Sequence, residues 1–551
     1  MSISKKLALS LASGALLLAG LTACGAGDNP DGVSTGADGA ALTSVTVRGC
    51  TPQHPLLPAS TNEVCGGNVL DASEAKLIHY DADTAAPSLD IAESIESPDA
   101  ITWTVKLKPG YLFQDGSEVL ARNFVDAWNW AAYGPNGQVS AYFFEVIDGY
   151  ADLQCGESGD CEAEPPAKEA MSGLTVVDDH TFTIKTVSAT SNLKVRLGYT
   201  AFAPQPDAFF ADESEGKADF AAKPIAAGPY TITAVTDTEI VLDRFADYSG
   251  DFPGTVDKVT FPVYNDLTAA YQDVVANNLD MTDTLPAGSL VGDLWKSDAP
   301  DRWGEKETGV FQALSFAPAT VDPGLADIKM RQAISMAVDR DEITKVVFNG
   351  ARVTATGWVS PVVDGYKAGA CSNCVFDPVK AKQLYDEAGG YPGTLDIWVN
   401  GDGGHGEWAE AVCNQLVNNL GLACSVQTTP NFATLRDKIN NREMTGLYRA
   451  GWQMDYPSIE NFLAPLYATG APSNDTDYSN PEFDVLLSQA AAATDDAAAN
   501  ALYQQAEDLL NVDMPVMPLW YQQSQFIYSD RIAQVKMTPF STFDFGSVEL
   551  A

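Results

Sequence analysis

The sequence predicts an α/β or α+β protein, because segments with strand periodicity and segments with helical periodicity alternate along the chain without a visible repeat. Residues 102–119 alternate in polarity and are interrupted by two glycine-containing turns, a pattern typical of a meander of strands. Residues 123–133 follow and predict a helix with an aromatic face. Residues 180–187 and 239–245 alternate like half-buried strands.

Two longer segments in the second half of the chain predict helices. Residues 327–348 place apolar side chains near helical spacing, with charged residues elsewhere, and predict one helix. These apolar positions are Ile328, Ala333, Ile334, Val338 and Ile343. Residues 496–521 predict a further helix, which Pro515 ends before an apolar strand.

The amino-terminal segment indicates export. Lys5 and Lys6 precede an apolar run at residues 7–21, which is too short to span a bilayer comfortably and is typical of a secretory signal. The following Leu-Thr-Ala-Cys resembles a bacterial lipobox, which implies cleavage before Cys24 and lipid attachment to it. The alternative is an ordinary cleaved signal with a chance cysteine. Residues 25–43 are mostly small and polar and predict a flexible tether.

The rest of the chain is expected to be a soluble and strongly acidic body. No other segment is long and apolar enough to cross a membrane, and the length predicts roughly two to four domains. Hydrophobic residues make up 45% of the chain, which is ordinary for a globular protein. The chain carries 74 acidic and 32 basic residues, a net charge of −42. Such a field argues against nucleic acid as a partner and against direct adhesion to anionic lipid.

Eight cysteines remain once Cys24 is set aside, an even number in an oxidising compartment. Sequence alone allows about 105 pairings of eight cysteines, and pairing of nearest neighbours is the simplest expectation. The expected pairs are Cys50 with Cys65, Cys155 with Cys161, Cys371 with Cys374, and Cys413 with Cys424. The Cys-x-x-Cys spacing of the third pair also fits a redox motif or half of a zinc site. A structural disulfide is favoured, because there is no second such pair and only four histidines are present.

One glycine motif is typical of dinucleotide-binding enzymes. Gly401, Gly403 and Gly406 match Gly-x-Gly-x-x-Gly between a predicted strand and a predicted helix. The following strand ends without an acidic residue to hold a ribose, so a dinucleotide site is not expected. A turn, or a helix start that favours a carboxylate with His405 as a donor, fits better. The chain has no Gly-x-Ser-x-Gly or His-Glu-x-x-His motif, and no enzyme, cofactor or metal is predicted.

Several segments resemble the extracellular solute-binding proteins of peptide ABC importers, in particular the oligopeptide-binding lipoproteins. The resemblance runs through nearly the whole mature chain. It is carried by residues 54–71, 102–128, 226–232, 327–343 and 448–462. The last of these, YRAGWQMDYPSIENF, resembles the oligopeptide-binding branch most specifically. One departure is residues 68–81, NVLDASEAKLIHYD, which lack the Phe-Glu-Gly-Leu-type run usual in relatives.

This resemblance implies a two-lobed periplasmic-binding-protein-like fold of the large, type II peptide-binding class with an extra domain, and no catalytic residues. The implied divisions are 1–23 signal peptide, 24–43 tether, 44–75 with 204–308 and 529–551 as domain I of lobe 1, 76–203 as the extra domain II of lobe 1, and 309–528 as domain III, which forms lobe 2. The implied partners are a short peptide, the ABC permease with its ATPase subunits indirectly, and the membrane through the lipid anchor. The chain is expected to be a monomer at the outer face of the cytoplasmic membrane.

The resemblance also assigns roles to residues. Asp455 matches an aspartate that holds the ammonium end of the peptide. Arg449 matches an arginine at the carboxylate end, which His405 assists. A segment at residues 62–64, with Glu63 and Val64, is implied to run alongside the peptide backbone. The side-chain pocket positions are implied to be Trp452, Phe432 and Tyr142.

Physical chemistry supports the same pairing of charges. A zwitterion enclosed between lobes loses water at both ends, so each end needs a charged partner. From spacing alone, an internal ion pair between Arg449 and Asp455 is the favoured interpretation, and the resemblance reverses that preference. Other solutes also stay open, because some relatives bind saccharides, nickel complexes or opines. An exported peptidase and a peptide-sensing adhesin are the alternatives from other functional classes.

Overall fold

The computed structural model describes residues 43–551 except 157–158, 431, 472 and 494, and omits the side chains of 287, 402 and 433. Thr43–Ala551 forms one compact unit. The signal segment, Cys24 and the tether lie outside the described residues, so the lipid anchor stays a prediction. Among the helices in the described part of the chain, none is long and apolar enough to cross a membrane.

The strands are numbered in chain order. They are β1 (Ser44–Thr46), β2 (Ile78–Tyr80), β3 (Pro87–Leu89), β4 (Ala92–Glu96), β5 (Thr102–Leu107), β6 (Leu174–Asp178), β7 (Thr181–Lys185), β8 (Tyr230–Val235), β9 (Glu239–Arg244), β10 (Lys258–Pro262), β11 (Met281–Thr282), β12 (Trp303–Phe316), β13 (Arg352–Thr354), β14 (Leu395–Asn400), β15 (Cys424–Thr429), β16 (Leu447–Gln453), β17 (Val516–Tyr528), β18 (Ile532–Met537) and β19 (Phe543–Leu550).

The α-helices are numbered in the same way. They are α1 (Val64–Ser73), α2 (Ala121–Ala132), α3 (Leu193–Arg196), α4 (Asp207–Ala211), α5 (Ala218–Ala221), α6 (Leu267–Val275), α7 (Ala287–Leu290), α8 (Leu294–Asp298), α9 (Ile328–Met336), α10 (Arg340–Val346), α11 (Pro378–Glu387), α12 (Gly406–Leu420), α13 (Phe432–Asn440), α14 (Ile459–Tyr467), α15 (Pro481–Ala491) and α16 (Asp496–Asp513).

The strands form three principal sheets and two hairpins. One four-stranded sheet has the order β1-β10-β9-β8, and another has the antiparallel order β4-β5-β7-β6. The largest sheet has the order β11-β17-β12-β16-β14-β15, and β13 also pairs with β17. In it β12 is antiparallel to both β16 and β17, while β14 is parallel to β15 and β16. The hairpins are β2-β3 and β18-β19.

The aromatic face predicted for residues 123–133 is confirmed and forms the centre of one core. Phe124 and Trp128 of α2 are fully buried. The indole ring of Trp128 packs against the rings of Phe144, Phe182 and Phe202 at centroid distances of 6.0, 5.6 and 5.4 Å. Its Nε1 donates a hydrogen bond to the Phe202 carbonyl at 3.1 Å, so the indole buries its ring without losing its polar partner.

The strand meander predicted for residues 102–119 is shorter than expected. Only Thr102–Leu107 of the predicted meander is a strand, and the remainder contributes a single bridge between Leu112 and Glu118. Asp115 explains the difference, because its carboxylate accepts from the Ser117 backbone at 2.9 Å and forms a local turn that competes with strand pairing.

The helix predicted over residues 327–348 is two helices, α9 and α10. Asp339 separates them, since its carboxylate accepts from the Glu342 backbone at 3.0 Å and caps α10. The next residue, Arg340, is 2% exposed and donates to the carbonyls of Pro518 and Cys374 at 2.6 and 2.7 Å. By contrast, α16 and β17 confirm the helix and strand predicted on either side of Pro515.

The nearest-neighbour disulfides are confirmed. The bonded pairs are Cys50–Cys65, Cys155–Cys161, Cys371–Cys374 and Cys413–Cys424. The last of them joins α12 to β15. Cys371 and Cys374 are 2% and 6% exposed, and burial of this kind suits a structural bond better than thiol exchange.

The unliganded protein is expected to lose stability as the pH rises from about 4 to about 8. Burial raises the pKa of Glu74 to about 8, of Asp455 and Glu507 to about 7, and of Asp90 to about 6. In this range the folded state keeps protons that the unfolded chain has already released, so raising the pH favours unfolding. The unfolding midpoint temperature should therefore be higher at pH 5 than at pH 8.

Glu507→Gln is the matched variant for this measurement. One Glu507 carboxylate oxygen accepts from the Trp358 backbone at 2.8 Å, and a glutamine oxygen can keep that bond. The variant removes one titrating group, so its midpoint should depend less on pH than that of the parent protein. A parent midpoint that increases between pH 5 and pH 8 would contradict the prediction.

Candidate ligand-binding site

The central strand β16 carries Arg449 and Trp452 and has one open edge. On one side β12 pairs with it along its whole length, from Leu447 to Gln453. On the other side β14 pairs with it only at Leu447 and Tyr448. No strand among the described residues continues that side past Tyr448. The second half of β16 therefore offers backbone groups to an extended chain.

Asp455 follows directly after this strand, and Asn461 of α14 holds it in place. The Asp455 backbone N–H donates to Asn461 Oδ1 at 2.9 Å, and Asn461 Nδ2 donates to Asp455 Oδ2 at 3.0 Å. Trp452 Nε1 donates to the same Asn461 Oδ1 at 3.1 Å. One buried amide thus fixes both Trp452 and Asp455.

The carboxylate of Asp455 is half-buried and forms no salt bridge among the described residues. Burial raises its pKa to about 7, against the opposing effects of the Asn461 hydrogen bond and of Arg196. Its hydrogen-bonding partner is Asn461, and the internal ion pair with Arg449 that spacing allowed does not form. The site therefore holds a costly carboxylate that a cation would stabilise.

Three tyrosines from the first half of the chain lie within electrostatic range of this carboxylate. Burial and the Asp455 charge together raise the pKa values of Tyr80, Tyr142 and Tyr199. The Tyr142 ring also stacks on Phe143 at a centroid distance of 4.3 Å. Of the three tyrosines, sequence analysis identified only Tyr142.

A buried ion pair next to Asp455 joins α3 to α14. Arg196 Nη2 lies 3.1 Å from Glu460 Oε1, and both side chains are largely buried. Glu460 Oε2 accepts from Asn192 Nδ2 at 2.9 Å and from the Tyr456 hydroxyl at 2.8 Å. Because Glu460 engages this guanidinium, Arg196 stays close to Asp455 without forming a salt bridge to it.

Arg449 lies on β16 opposite Leu314 of β12. Its guanidinium carbon is 5.4 Å from the centre of the Phe432 ring, a cation–π distance. A Cβ placed on Gly451 would lie 2.9 Å from Arg449 Nη2, so glycine at that position lets the side chain fold back along its own strand. The structure thus brings together Arg449 and Phe432, two of the residues selected from sequence.

His405 occupies the position before α12, and Trp408 orients its ring. Trp408 Nε1 donates to His405 Nδ1 at 3.1 Å, which places the proton of the neutral imidazole on Nε2. A Cβ on Gly403 would lie 2.4 Å from that Nε2, so the loop packs closely against the ring. The glycine motif is therefore a tight turn, Gly401–Gly403, that leads into a helix.

Glu63 and Val64 lie at the amino-terminal end of α1. The Glu63 carboxylate caps α1 by accepting from the backbone N–H groups of Cys65 and Gly66 at 2.7 and 2.9 Å. Val64 begins the helix and is 49% exposed. The Glu63 side chain thus has a structural role, and Val64 presents an exposed side chain next to it.

Comparison with known proteins identifies this architecture. Residues 86–475 match the bacterial extracellular solute-binding proteins, family 5. The chain is 24% identical to the oligopeptide-binding protein OppA of Bacillus subtilis over 536 residues, 94% of each chain. The Escherichia coli murein tripeptide binding protein MppA aligns with a TM-score of 0.76 at 22% identity, covering 93% of this chain and 99% of MppA. Haemophilus influenzae OppA, solved in complex with the peptide RPPGFSPFR, aligns with a TM-score of 0.75 at 19% identity, covering 92% and 99%.

The fold is therefore the two-lobed α/β architecture of periplasmic binding proteins, as the resemblance implied. The chain belongs to the bacterial extracellular solute-binding proteins of family 5. Its function is to bind a solute, and it is not an enzyme.

Proposed function

We propose that this protein captures short peptides between its two lobes and delivers them to the permease of an ABC importer. The observation that carries the proposal is Asp455, a half-buried carboxylate without a salt bridge among the described residues. An ammonium group at this position would offset the cost of burial and complete the site. The names of similar proteins, which bind oligopeptides or a murein tripeptide, support a peptide as the solute.

The open edge of β16 supplies the second part of the recognition. An extended peptide placed beside residues 449–453 would form backbone hydrogen bonds that do not depend on its side chains. The segment of Glu63 and Val64 is proposed to flank the same backbone. Main-chain recognition of this kind accepts many sequences, as a receptor for nutrient peptides requires.

Arg449 is proposed to bind the carboxylate end of the peptide, with His405 Nε2–H as an additional donor. A guanidinium can donate two parallel hydrogen bonds to a carboxylate, and Phe432 supports it from one side. Trp452, Phe432 and Tyr142 are proposed to line the side-chain pockets. Their rings offer apolar area, and water can adjust to residues of different size.

Closure of the two lobes is proposed to complete the site. The proposed domain I (44–75, 204–308 and 529–551) holds the sheet of β1, β8, β9 and β10, domain II (76–203) holds that of β4–β7, and domain III (309–528) holds most of the largest sheet. The ion pair of Arg196 and Glu460 joins domain II to domain III, which supports an arrangement in which the ligand is enclosed.

A lipid anchor at Cys24 is a further part of the proposal. Lipid on Cys24 would hold the protein at the outer face of the cytoplasmic membrane, with residues 25–43 as the tether. Cys24→Ala should release the protein from the membrane fraction and abolish incorporation of labelled palmitate. Release from the membrane without any change in labelling would contradict lipid attachment at this residue.

Calorimetric titration of the protein without its lipid tests the solute. A mixed pool of tri- to pentapeptides should give saturable binding, whereas a pool of maltooligosaccharides and a nickel–histidine complex should not. Chromatography of the peptides afterwards should recover them intact, which separates a receptor from a peptidase. Binding of the sugar pool or the nickel complex, with no binding of peptides, would keep the fold and overturn the proposed solute.

The affinity for peptides with a free amino end is expected to rise with pH up to about 7. Burial raises the pKa of Asp455 to about 7, so below that pH the carboxyl must release its proton before it can pair with an ammonium. Release of one proton on binding corresponds to an increase in peptide affinity of up to about tenfold per pH unit. Above about pH 8 the peptide amino group loses its own proton and affinity should fall.

Calorimetry at pH 5.5, 6.5 and 7.5 measures this dependence, and two buffers of different ionisation enthalpy measure proton release directly. In Asp455→Asn the dependence between pH 5.5 and 7.5 should disappear. A parent affinity that is constant over this range would show that Asp455 does not titrate on binding.

A further inference from the structure

A cavity of about 820 Å³ in the described part of the chain has a lining that includes none of Asp455, Arg449 and Trp452. Its lining comes from residues 71–90, 229–255 and 536–546, with none from the proposed domain III. The volume is in the range of small-molecule sites. Tyr80 belongs to the wall between the cavity and Asp455, because its ring stacks on Phe540 in the cavity and the charge of Asp455 raises the pKa of its hydroxyl.

Glu74 lines this cavity and is 5% exposed. Its carboxylate has no hydrogen-bond or ion-pair partner among the described residues, and Oε2 is fully enclosed. The nearby Lys76 pairs with Asp71, whose Oδ1 lies 3.1 Å from Lys76 Nζ. Burial raises the pKa of Glu74 to about 8, which reflects the cost of keeping a charge there. A buried carboxylate in this state is unusual and needs a partner.

The charges around the cavity favour a cation. Six carboxyl side chains line it against two lysines, and both lysines are already paired. Lys76 pairs with Asp71, and Lys536 pairs with Asp83 at 2.7 Å. His79 adds no positive charge near neutral pH, because burial and Lys76 lower its pKa to about 4. The lining is therefore net negative.

Aromatic side chains form the apolar part of the wall. The rings of His79 and Phe252 stack at a centroid distance of 3.6 Å, and those of Tyr80 and Phe540 at 5.1 Å. Aromatic faces beside a carboxylate are the combination that binds organic ammonium groups, through cation–π contact and charge pairing. The apolar rings also suit a hydrocarbon body attached to the cation.

We propose that this cavity is a second ligand site, which binds an organic ammonium compound with an apolar body and uses Glu74 as its counter-ion. The ammonium group is that of a free amine, which binds while a peptide fills the cleft.

Calorimetry with phenethylamine at pH 8 tests the site, in protein saturated with the tri- to pentapeptide pool. Phenethylamine should bind, 2-phenylethanol of similar shape should bind at least tenfold more weakly, and 3-phenylpropionate should not bind. Glu74→Gln should weaken the amine at least tenfold and leave peptide affinity unchanged. Asp455→Asn should retain the amine while losing peptide, which distinguishes a failure of this site from a failure of the proposed function.

Three results would overturn the second site. They are no amine binding to the parent protein, equal binding of amine and alcohol, and displacement of the amine by the peptide pool together with its loss in Asp455→Asn. The last would place the amine in the peptide cleft. The comparison of amine with alcohol uses unaltered protein, so it decides the matter even if Glu74→Gln does not fold.

Discussion

Asp455→Asn is expected to weaken binding of peptides with a free amino end by roughly 30-fold to several thousand-fold. Removing one partner of an enclosed charge pair costs about 2–5 kcal/mol, because the other charge stays buried and unpaired. Asparagine keeps the size of the side chain and can still bond to Asn461, so the loss should report charge and not misfolding. Calorimetric titration of the parent and the variant with one tripeptide measures it.

Acetylated peptides provide the internal control for Asp455. Acetylation removes the ammonium, so it should weaken binding to the parent strongly and binding to the variant little. Asp477→Asn is the matched surface control, since Asp477 pairs with Arg442 at a partly exposed site. Exposed pairs contribute little to stability, and this variant should bind like the parent. Equal losses on acetylation in parent and Asp455→Asn would remove the role assigned to Asp455.

Arg449→Met is expected to produce the second large effect, a loss of at least about 30-fold for peptides with a free carboxylate, from the same 2–5 kcal/mol range. Methionine keeps an apolar stem against Phe432 but removes the donors of the guanidinium. Amidated peptides should bind the parent and the variant with similar, weak affinity. Titration with a tripeptide and its amide gives the four affinities of a double-mutant cycle.

Arg442→Met is the matched control for Arg449. Its guanidinium pairs with Asp477 at the surface, and its loss should leave peptide affinity within about twofold of the parent. Far-ultraviolet circular dichroism and an unchanged melting temperature establish that each variant is folded. If amidation and Arg449→Met act independently, the arginine does not bind the carboxylate end.

The parts of the fold that follow from local pattern could be predicted from the sequence. The buried face of Phe124 and Trp128 follows from their helical spacing, and the disulfides follow from the proximity of their cysteines along the chain. The division between α9 and α10 was missed because the apolar spacing continues across it. The capping carboxylate of Asp339 ends the helical pattern there, and a lone aspartate is a weak signal.

The candidate site likewise contains residues that the sequence identifies and residues that only the folded structure brings together. Arg449, Trp452 and Asp455 stand close together in the sequence and could be selected, whereas Asn461 is an ordinary helix amide whose role depends on the turn before α14. Arg196 and Glu460 are far apart along the chain, so only the folded structure brings them together. The same applies to Tyr80 and Tyr199. No motif marks them, and only tertiary packing brings their hydroxyls within electrostatic range of the Asp455 carboxylate.

A crystal structure of the protein with a bound tripeptide tests the central claim most directly. We expect the peptide amino nitrogen within hydrogen-bonding distance of an Asp455 carboxylate oxygen, about 2.7–3.2 Å. We also expect the peptide backbone along residues 449–453 and the peptide carboxylate at the Arg449 guanidinium. A peptide bound with its ends away from both side chains would contradict the account.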